Sequence, residues 1–386
     1  MRPPNPRATT PAWPTALGGC LALAVAMGIG RFAATPLLPL MQEDAGVSVA
    51  EGGWLAAANY LGYLVGALTA AGRIQQRLAI RIGLAAIALA TLAMGFTTDL
   101  GAWLLLRAVP GFASAWVLVN VSAWALDQLG KAGRAGLSGV VYAGVGIGIV
   151  FAGLVCLALS AASRSSAEAW VVLGLSAALA TAALWRAAGG DSAREPAATG
   201  ARASPRDIAE FWRLVFCYGA FGLGYIIPAT FLPVMAKRIV ADPLWFGWAW
   251  PVFGAAAVAS TLLAARLTRM TSYRAVWILG NLVMAAGVLI PLAEPGLTGI
   301  IIGALFVGGT FMVNTMVGLQ EARRVAGPHA KALMAAMTSA FAAGQIAGPL
   351  LVSALNTSSG FRFALVGAAL PLLLSAYLLT VKTEQT

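Results

Sequence analysis

Acidic side chains are scarce in this chain. Asp and Glu number 14 in 386 residues, and all charged residues together make up 10%. A soluble globular domain carries about a quarter, so that class is excluded. Histidine occurs once, as His329 beside Pro328. Cysteine occurs three times, as Cys20, Cys156 and Cys217, in separate apolar stretches and without CxxC spacing. A metal cluster or a disulfide framework needs more than that, and the three cysteines read as small buried apolar residues. A membrane enzyme would need a nucleophile with a base, or a metal, and the single histidine supplies neither. No GxxxxGK[ST] phosphate loop occurs, so drive by ATP would require a separate subunit. No basic run interleaves with aromatics, which excludes a nucleic-acid surface.

What fills the chain is apolar: 60% hydrophobic residues, with 44 glycines. Continuous runs of about twenty such residues are long enough to cross a bilayer as helices. The runs do not alternate as barrel strands must. The spans fall near Thr15–Leu40, Gly52–Ala71, Ile82–Phe96, Gly101–Leu126, Leu137–Ala161 and Ala169–Ala187. A second set falls near Phe211–Met235, Phe246–Ala265, Ala275–Leu292, Gly296–Leu319, Leu333–Leu355 and Phe361–Thr380. The expectation is an all-α polytopic membrane protein of about twelve transmembrane helices.

A repeat divides the chain in two. Gly28-Ile29-Gly30-Arg31-Phe32, followed by Pro39-Leu40-Met41, returns 194 residues later as Gly222-Leu223-Gly224-Tyr225-Ile226 and Pro233-Val234-Met235. The same shift carries Gly53-Trp54 onto Gly247-Trp248, Asn120 onto Asn314 and Asp127 onto Glu321. Residues 1–188 and 209–386 are therefore expected as two pseudo-symmetric six-helix halves. Residues 189–208, rich in Ala, Ser, Arg and Pro, form a polar cytoplasmic linker between them. Chains built from such repeats hold a substrate between the halves.

Positive charge sets the orientation. With both termini inside, nineteen basic residues fall in the inner segments and four, Arg164, Lys237, Arg238 and Arg362, fall outside. This is the bias expected of cytoplasmic loops. It also accounts for the net charge of +11 and suits the inner face to anionic lipid.

Only Arg31 and Arg107 remain within apolar segments, and no Asp or Glu lies at mid-depth. Buried charge is costly and marks function by default. Arg31 reads either as a cationic anchor for a carboxylate or phosphate on the transport path, or as a side chain tied to backbone carbonyls or snorkelling outward. Tyr225 stands at the matching place in the second half. Gly28 and Gly30 permit close helix approach, and Pro36 and Pro39 are expected to bend the outer end of the first helix. Asn59 and Tyr63 share a helix face, as do Trp116, Asn120 and Trp124. With Tyr142, Tyr218, Asn281, Asn314 and Gln345 they form a polar set that either lines a cavity or bonds helix to helix. Trp54, Trp248 and Trp250 read as an interfacial belt. Asp127 and Glu321, ending their helices near Lys131, Arg134, Arg323 and Arg324, read as gate salt bridges or as solvated helix ends.

Two stretches carry a resemblance. Leu104-Leu105-Leu106-Arg107 with Gly111 four residues on, and the loop Gly72, Gln76-Arg77, Ala79, Arg81, resemble the major facilitator superfamily. In that loop the superfamily's Asp is replaced by Gln76 and its second Gly by Ala79, which puts the latch normally made by the Asp in question. The Gly28–Met41 phrase, with Gly344-Gln345-Ile346-Ala347-Gly348-Pro349, is similar to the bacterial YbfB/YjiJ-type branch. The resemblance implies a bacterial inner-membrane location, a functional monomer, alternating access and coupling to protons. The missing mid-span carboxylate speaks against the last of these.

The expected function is secondary transport of a small solute, anionic or neutral organic compounds being favoured by the two buried cations. No cofactor beyond coupling protons is expected, and the partners are the substrate and the lipid bilayer. Efflux of hydrophobic drugs is the competing reading. A sensor that keeps the transporter fold without moving substrate is a third.

Overall fold

A computed structural model describes the backbone of residues 12–72, 74–186, 205–239, 243–354 and 360–381. It describes their side chains too, except for 205–206, 230–239, 243–246, 349–354 and 360–361. The linker lies almost wholly outside the described residues, as do the side chains of Pro233 and Pro349.

The described residues form helices and no strand. In the first half these are α1 (Ala12–Leu23), α2 (Ala34–Asp44), α3 (Val49–Thr69), α4 (Gln76–Ala93), α5 (Leu100–Lys131), α6 (Ser138–Ala161) and α7 (Ser166–Leu184). In the second they are α8 (Pro205–Ile239), α9 (Pro243–Leu267), α10 (Tyr273–Ala293), α11 (Leu297–Ala326), α12 (Ala330–Ala354) and α13 (Gly360–Thr380). Ten stretches among the described residues are long and apolar enough to cross a membrane. The longest, Leu297–Gly348, holds both α11 and α12, separated by a tight turn at Gly327–His329.

Side chains cap the starts of α3, α5, α7 and α10. Ser48 and Ser165 each exchange bonds with a Glu three residues on, so that Ser48 and Glu51, and Ser165 and Glu168, satisfy two orphan donors reciprocally. Asp99 and Ser272 accept from Ala102 and Ala275 in the same way. Outward faces carry exposed leucines, among them Leu61, Leu89, Leu105 and Leu179. Asn59, Asn120, Asn281 and Asn314 are buried. This is the pattern of a protein whose solvent is hydrocarbon.

Contacts within the first half run α3 to α5, α4 to α5, α4 to α7 and α1 to α6. In the second they run α8 to α12, α10 to α11 and α10 to α13. The halves meet along α6–α9 and α3–α12.

The glycine-rich α6 owes its place to two glycine stripes. A Cβ on Gly144 or Gly148 would lie 1.9 or 2.4 Å from the carbonyl oxygens of Cys20 and Ala24, so one stripe seats the first helix. Gly139, Gly146 and Gly153, spaced by seven, press on Ala265, Gly254 and Pro251 of α9 in the other half. Small residues let helix backbones approach in lipid, where no hydrophobic force draws them together. Close packing across the halves is thus the role of this run.

Substituting Gly146→Val should force α6 and α9 apart and lower stability by about 1–3 kcal/mol. Gly309→Ala, where nothing lies within 4 Å of the added carbon, should leave the melting temperature in detergent unchanged. Equal melting of both variants would remove the interface role of the stripe.

Candidate functional site

The first helix does not run straight through. Between α1 and α2 it widens into a π-helical turn at Ala24–Ile29 and then an irregular turn at 30–33. Gly30 and Phe32 donate five residues back, to Val25 and Met27, at 2.9 and 3.0 Å. Thr35 donates only three back, to Phe32, at 3.2 Å. A regular helix would send the Thr35 amide to the carbonyl of Arg31. The distortion therefore sits before the prolines and not at them. Pro36 falls in the first turn of α2, where its missing N–H is no loss.

Arg107 takes over the orphaned carbonyls. Its Nη1 donates to the Gly30 oxygen at 3.2 Å and its Nη2 to the Arg31 oxygen at 3.1 Å. The guanidinium also stands 5.8 Å from the Trp170 ring centroid. Asn59 of α3 donates to the backbone oxygen of Arg107 at 3.0 Å, three residues before Pro110, which lies inside α5. Gly111 lets α3 close in, since a Cβ there would lie 2.1 Å from the Asn59 oxygen.

Arg31 is presented by this turn and is 4% exposed. Its Nη2 donates to Oε1 of Gln345, on α12 in the opposite half. Its guanidinium lies 3.7 Å from the Tyr63 ring centroid, with Tyr60 and Phe32 both at 5.7 Å. Nε and Nη1 are buried and have no hydrogen-bond acceptor among the described residues. Neither Arg31 nor Arg107 forms an ion pair among the described residues.

The second half faces this cation with aromatic rings. Phe32 meets Phe311 edge-on at 6.0 Å and Trp250 at 6.5 Å. Phe311 stacks on Tyr225 at 5.3 Å and on Phe253 at 5.2 Å, and Phe253 stacks on Trp250. Trp250 thus belongs to an internal ladder and not to an interfacial belt, whereas Trp54 and Trp248 stand exposed. Tyr225 reaches the Arg31 neighbourhood through Phe311 and Phe32.

Of the polar residues singled out in the sequence, Arg31, Arg107, Asn59, Tyr63 and Gln345 come together. Asn120, Tyr142, Asn281 and Asn314 bond within their own halves. Asn120 donates to the Trp116 carbonyl at 2.8 Å, and its own carbonyl accepts from Gln76 at 2.9 Å. Tyr142 donates to Ser122 at 2.8 Å. Asn314 donates to Asn281 at 3.0 Å, which donates to Ser375 at 2.9 Å. Tyr60, Phe32, Phe311 and Phe253 escaped the sequence reading because an aromatic in an apolar helix carries no sign of its own.

At the end of the bundle that bears most of the arginines, polar contacts bridge the halves. Asp127 of α5 pairs with Arg323 of α11 at 3.2 Å, and Gln320 donates to Ser138 at 2.6 Å. Lys331 donates to the Gly72 carbonyl at 3.5 Å. Glu321 is 1% exposed in its side chain and stays within its own half, held by Arg274 at 2.5 Å and Arg324 at 2.6 Å. Arg274 and Arg213 also grip Glu210. Arg77 donates to the Arg186 carbonyl at 2.9 Å, and Arg81 lies 5.3 Å from the Trp185 ring. Gly348 packs directly against Ile226 of α8.

The family described as "Uncharacterised MFS-type transporter YbfB" matches residues 23–380. No curated protein matches. Among solved structures, the human organic anion transporter MFSD10 (TETRAN) superposes with a TM-score of 0.78 at 16% identity, covering 96% of this chain and 100% of that one. A mutant of the nucleoside transporter NupG superposes with a TM-score of 0.63 at 13% identity, covering 95% and 98%. At these identities the likeness is one of fold.

Removing the clamp on the broken turn should be expensive. Arg107→Gln is expected to cost about 2–4 kcal/mol, because buried carbonyls lose a charged donor. Asn59→Ala should cost about 1 kcal/mol. Thermal melting in detergent reads both, and an Arg107→Gln protein as stable as the parent would mean that the turn holds without it.

Proposed function

The chain belongs to the YbfB-type family of major facilitator transporters, and from that premise we propose that it carries small organic anions by alternating access, with Arg31 as the substrate anchor. One observation carries this reading. A guanidinium lies buried between the halves and, among the described residues, has two nitrogens without an acceptor, no ion pair, and a neutral amide as its hydrogen-bond partner. A buried cation without a counter-ion is costly. An anionic ligand supplies both the missing charge and the missing acceptors.

The rest of the site fits that cargo. Tyr63 stacks beneath the guanidinium and keeps its plane fixed. The ladder from Trp250 to Tyr225 offers an apolar aromatic wall, which suits an organic body on the anion. Rocking of the halves would break the Asp127–Arg323 and Gln320–Ser138 contacts to open one end. Separation of Phe32 from Trp250 and Phe311 would open the other. On this reading the chain works as a monomer in a bacterial inner membrane with the arginine-rich end and both termini in the cytoplasm, an orientation that the positive-inside bias supports. Coupling to protons falls to the acid form of the substrate or to exchange, since the buried Glu321 and Glu210 are committed to arginines near the gate. The aromatic ladder also favours a second reading, efflux of neutral hydrophobic compounds.

Gln345 then has a definite part. It occupies Arg31 when no anion is present and must give way when one arrives.

A thermal-shift screen of aromatic carboxylates, organic phosphates, cations and neutral aromatics tests the anchor. Anions should stabilise the parent protein, and Arg31→Gln should weaken that binding roughly tenfold to a hundredfold. Stabilisation of both proteins by neutral aromatics alone would favour efflux and end the anion reading.

In proteoliposomes, Gln345→Ala should keep anion exchange within about twofold while net uptake slows severalfold, because the empty site loses the partner of its cation. A parallel fall of exchange and net uptake would reduce Gln345 to a structural residue.

A further inference from the structure

Outside the site between the halves, a groove of about 580 Å³ opens on the outer face between α4 and α7. Its floor is made of small residues, Ala85 and Ala88 from α4 and Ala178 and Ala182 from α7. Its rim is basic: Arg186 lines it, beside Trp185. Arg81 packs its guanidinium 5.3 Å from the Trp185 ring, and Arg77 donates to the Arg186 carbonyl at 2.9 Å. None of these three arginines forms an ion pair among the described residues. The Nε atoms of Arg77 and Arg81 are buried without an acceptor.

The surroundings fix the direction in which the groove points. Leu89 is 67% and Leu179 73% exposed, and Leu78, Ile82 and Leu175 stand out on the same pair of helices. In a membrane protein such faces meet acyl chains. From Arg81 to Leu89 the helix rises by about 12 Å, so the groove runs from the headgroup level into the hydrocarbon. Arg186 stands at one end of it, joined there by Arg77 and Arg81 through the contacts above, none of the three in an ion pair among the described residues, and alanines floor the rest. The occupant that complements both is an amphiphile with a negative head and an apolar tail.

We propose that the α4–α7 groove is a binding site for one anionic phospholipid, its phosphodiester held by Arg77, Arg81 and Arg186 and one acyl chain lying over Ala85, Ala88, Ala178 and Ala182. A free phosphate or organic phosphate would use the same arginines but leave the alanine floor bare. A zwitterionic lipid would fill the floor but bring no net charge to the arginines. Trp185, next to Arg186 at the rim, brings an amphipathic ring of the kind that favours headgroup depth. Its stacking on Arg81 holds that guanidinium at the rim.

Native mass spectrometry of the delipidated full-length protein in mild detergent tests this, with three probes added at equal concentration. These are phosphatidylglycerol, phosphatidylcholine of the same chain length, and sn-glycerol phosphate. Phosphatidylglycerol should be retained preferentially, and glycerol phosphate should not compete with it. Each arginine removed near the headgroup should weaken retention about fivefold. The pair Arg81→Gln with Arg186→Gln should therefore lose most of the bound lipid. Ala182→Phe, which fills the exposed floor and leaves every charge in place, should lose it as well. Lys131→Gln with Arg134→Gln, at the same end of the bundle but outside the groove, should lose none. Equal retention of phosphatidylcholine would overturn the proposal, as would competition by glycerol phosphate, full retention in Ala182→Phe, or equal loss in the Lys131/Arg134 pair.

Discussion

A backbone carbonyl inside a bilayer must find its donor within the protein, because no water is there to serve it. That constraint governs the middle of the first helix. The turn that follows Ile29 leaves the carbonyl of Arg31 without the amide it would meet in a regular helix, and Arg107 supplies donors to it and to its neighbour. The clamp is itself built in. Arg107 sits on α5 where Gly111 admits α3, and Asn59 of α3 binds its backbone. On the other side Gly28 lies so close to Gly148 of α6 that a Cβ would stand 2.4 Å from that residue's Cα. The loosened turn is therefore gripped from two directions, and Arg31 is delivered to the junction of the halves by structure made elsewhere.

Buried charge in this molecule falls into two kinds. Glu321 and Glu210 are surrounded by Arg274, Arg324 and Arg213, so each carboxylate has its counter-charges in place. Such clusters hold helices together near a membrane surface, and nothing about them calls for a ligand. The two mid-span arginines are of the other kind, with neutral partners only. Arg107 spends both terminal nitrogens on carbonyls that need them. Arg31 spends one on Gln345 and keeps two nitrogens in reserve. The difference lies in the geometry, since both residues are arginines at similar burial.

Charge scarcity and a constant shift of 194 residues were legible without a structure. They pointed to the transporter fold and to Arg31 and Arg107 as the two buried cations. The glycine run of α6 was legible as packing, though not its division into stripes for two different partners. What periodicity cannot reveal is which neighbour a helix face meets. Asn120 and Asn314 occupy equivalent places, yet one binds its own helix and accepts from Gln76 while the other starts a chain through Asn281 to Ser375. Pseudo-symmetry sets the position of a side chain and leaves its partner to the local sequence. The π-turn in the first helix left no mark in the sequence for a related reason. Proline marks a missing donor, whereas the π-turn arises where glycines let α6 press in and a distant arginine relieves the cost.

The repeat is broken at the place where symmetry would be harmful. Position 31 carries a guanidinium, and position 225, its counterpart, carries a phenol stacked on Phe311. Two facing guanidiniums would repel across the junction and demand two counter-charges at once. With one cation on the first half and an aromatic wall on the second, a ligand between them meets a polar anchor on one side and an apolar surface on the other. Among the described residues Gln345 is the side chain of the second half that reaches Arg31 with a hydrogen bond. It is neutral, so its attraction for the guanidinium is weaker than a carboxylate's would be. A permanent Glu at that position would fill the anchor for good. An amide satisfies the cation well enough for the halves to meet and, in the transport cycle we propose, would yield to an anion.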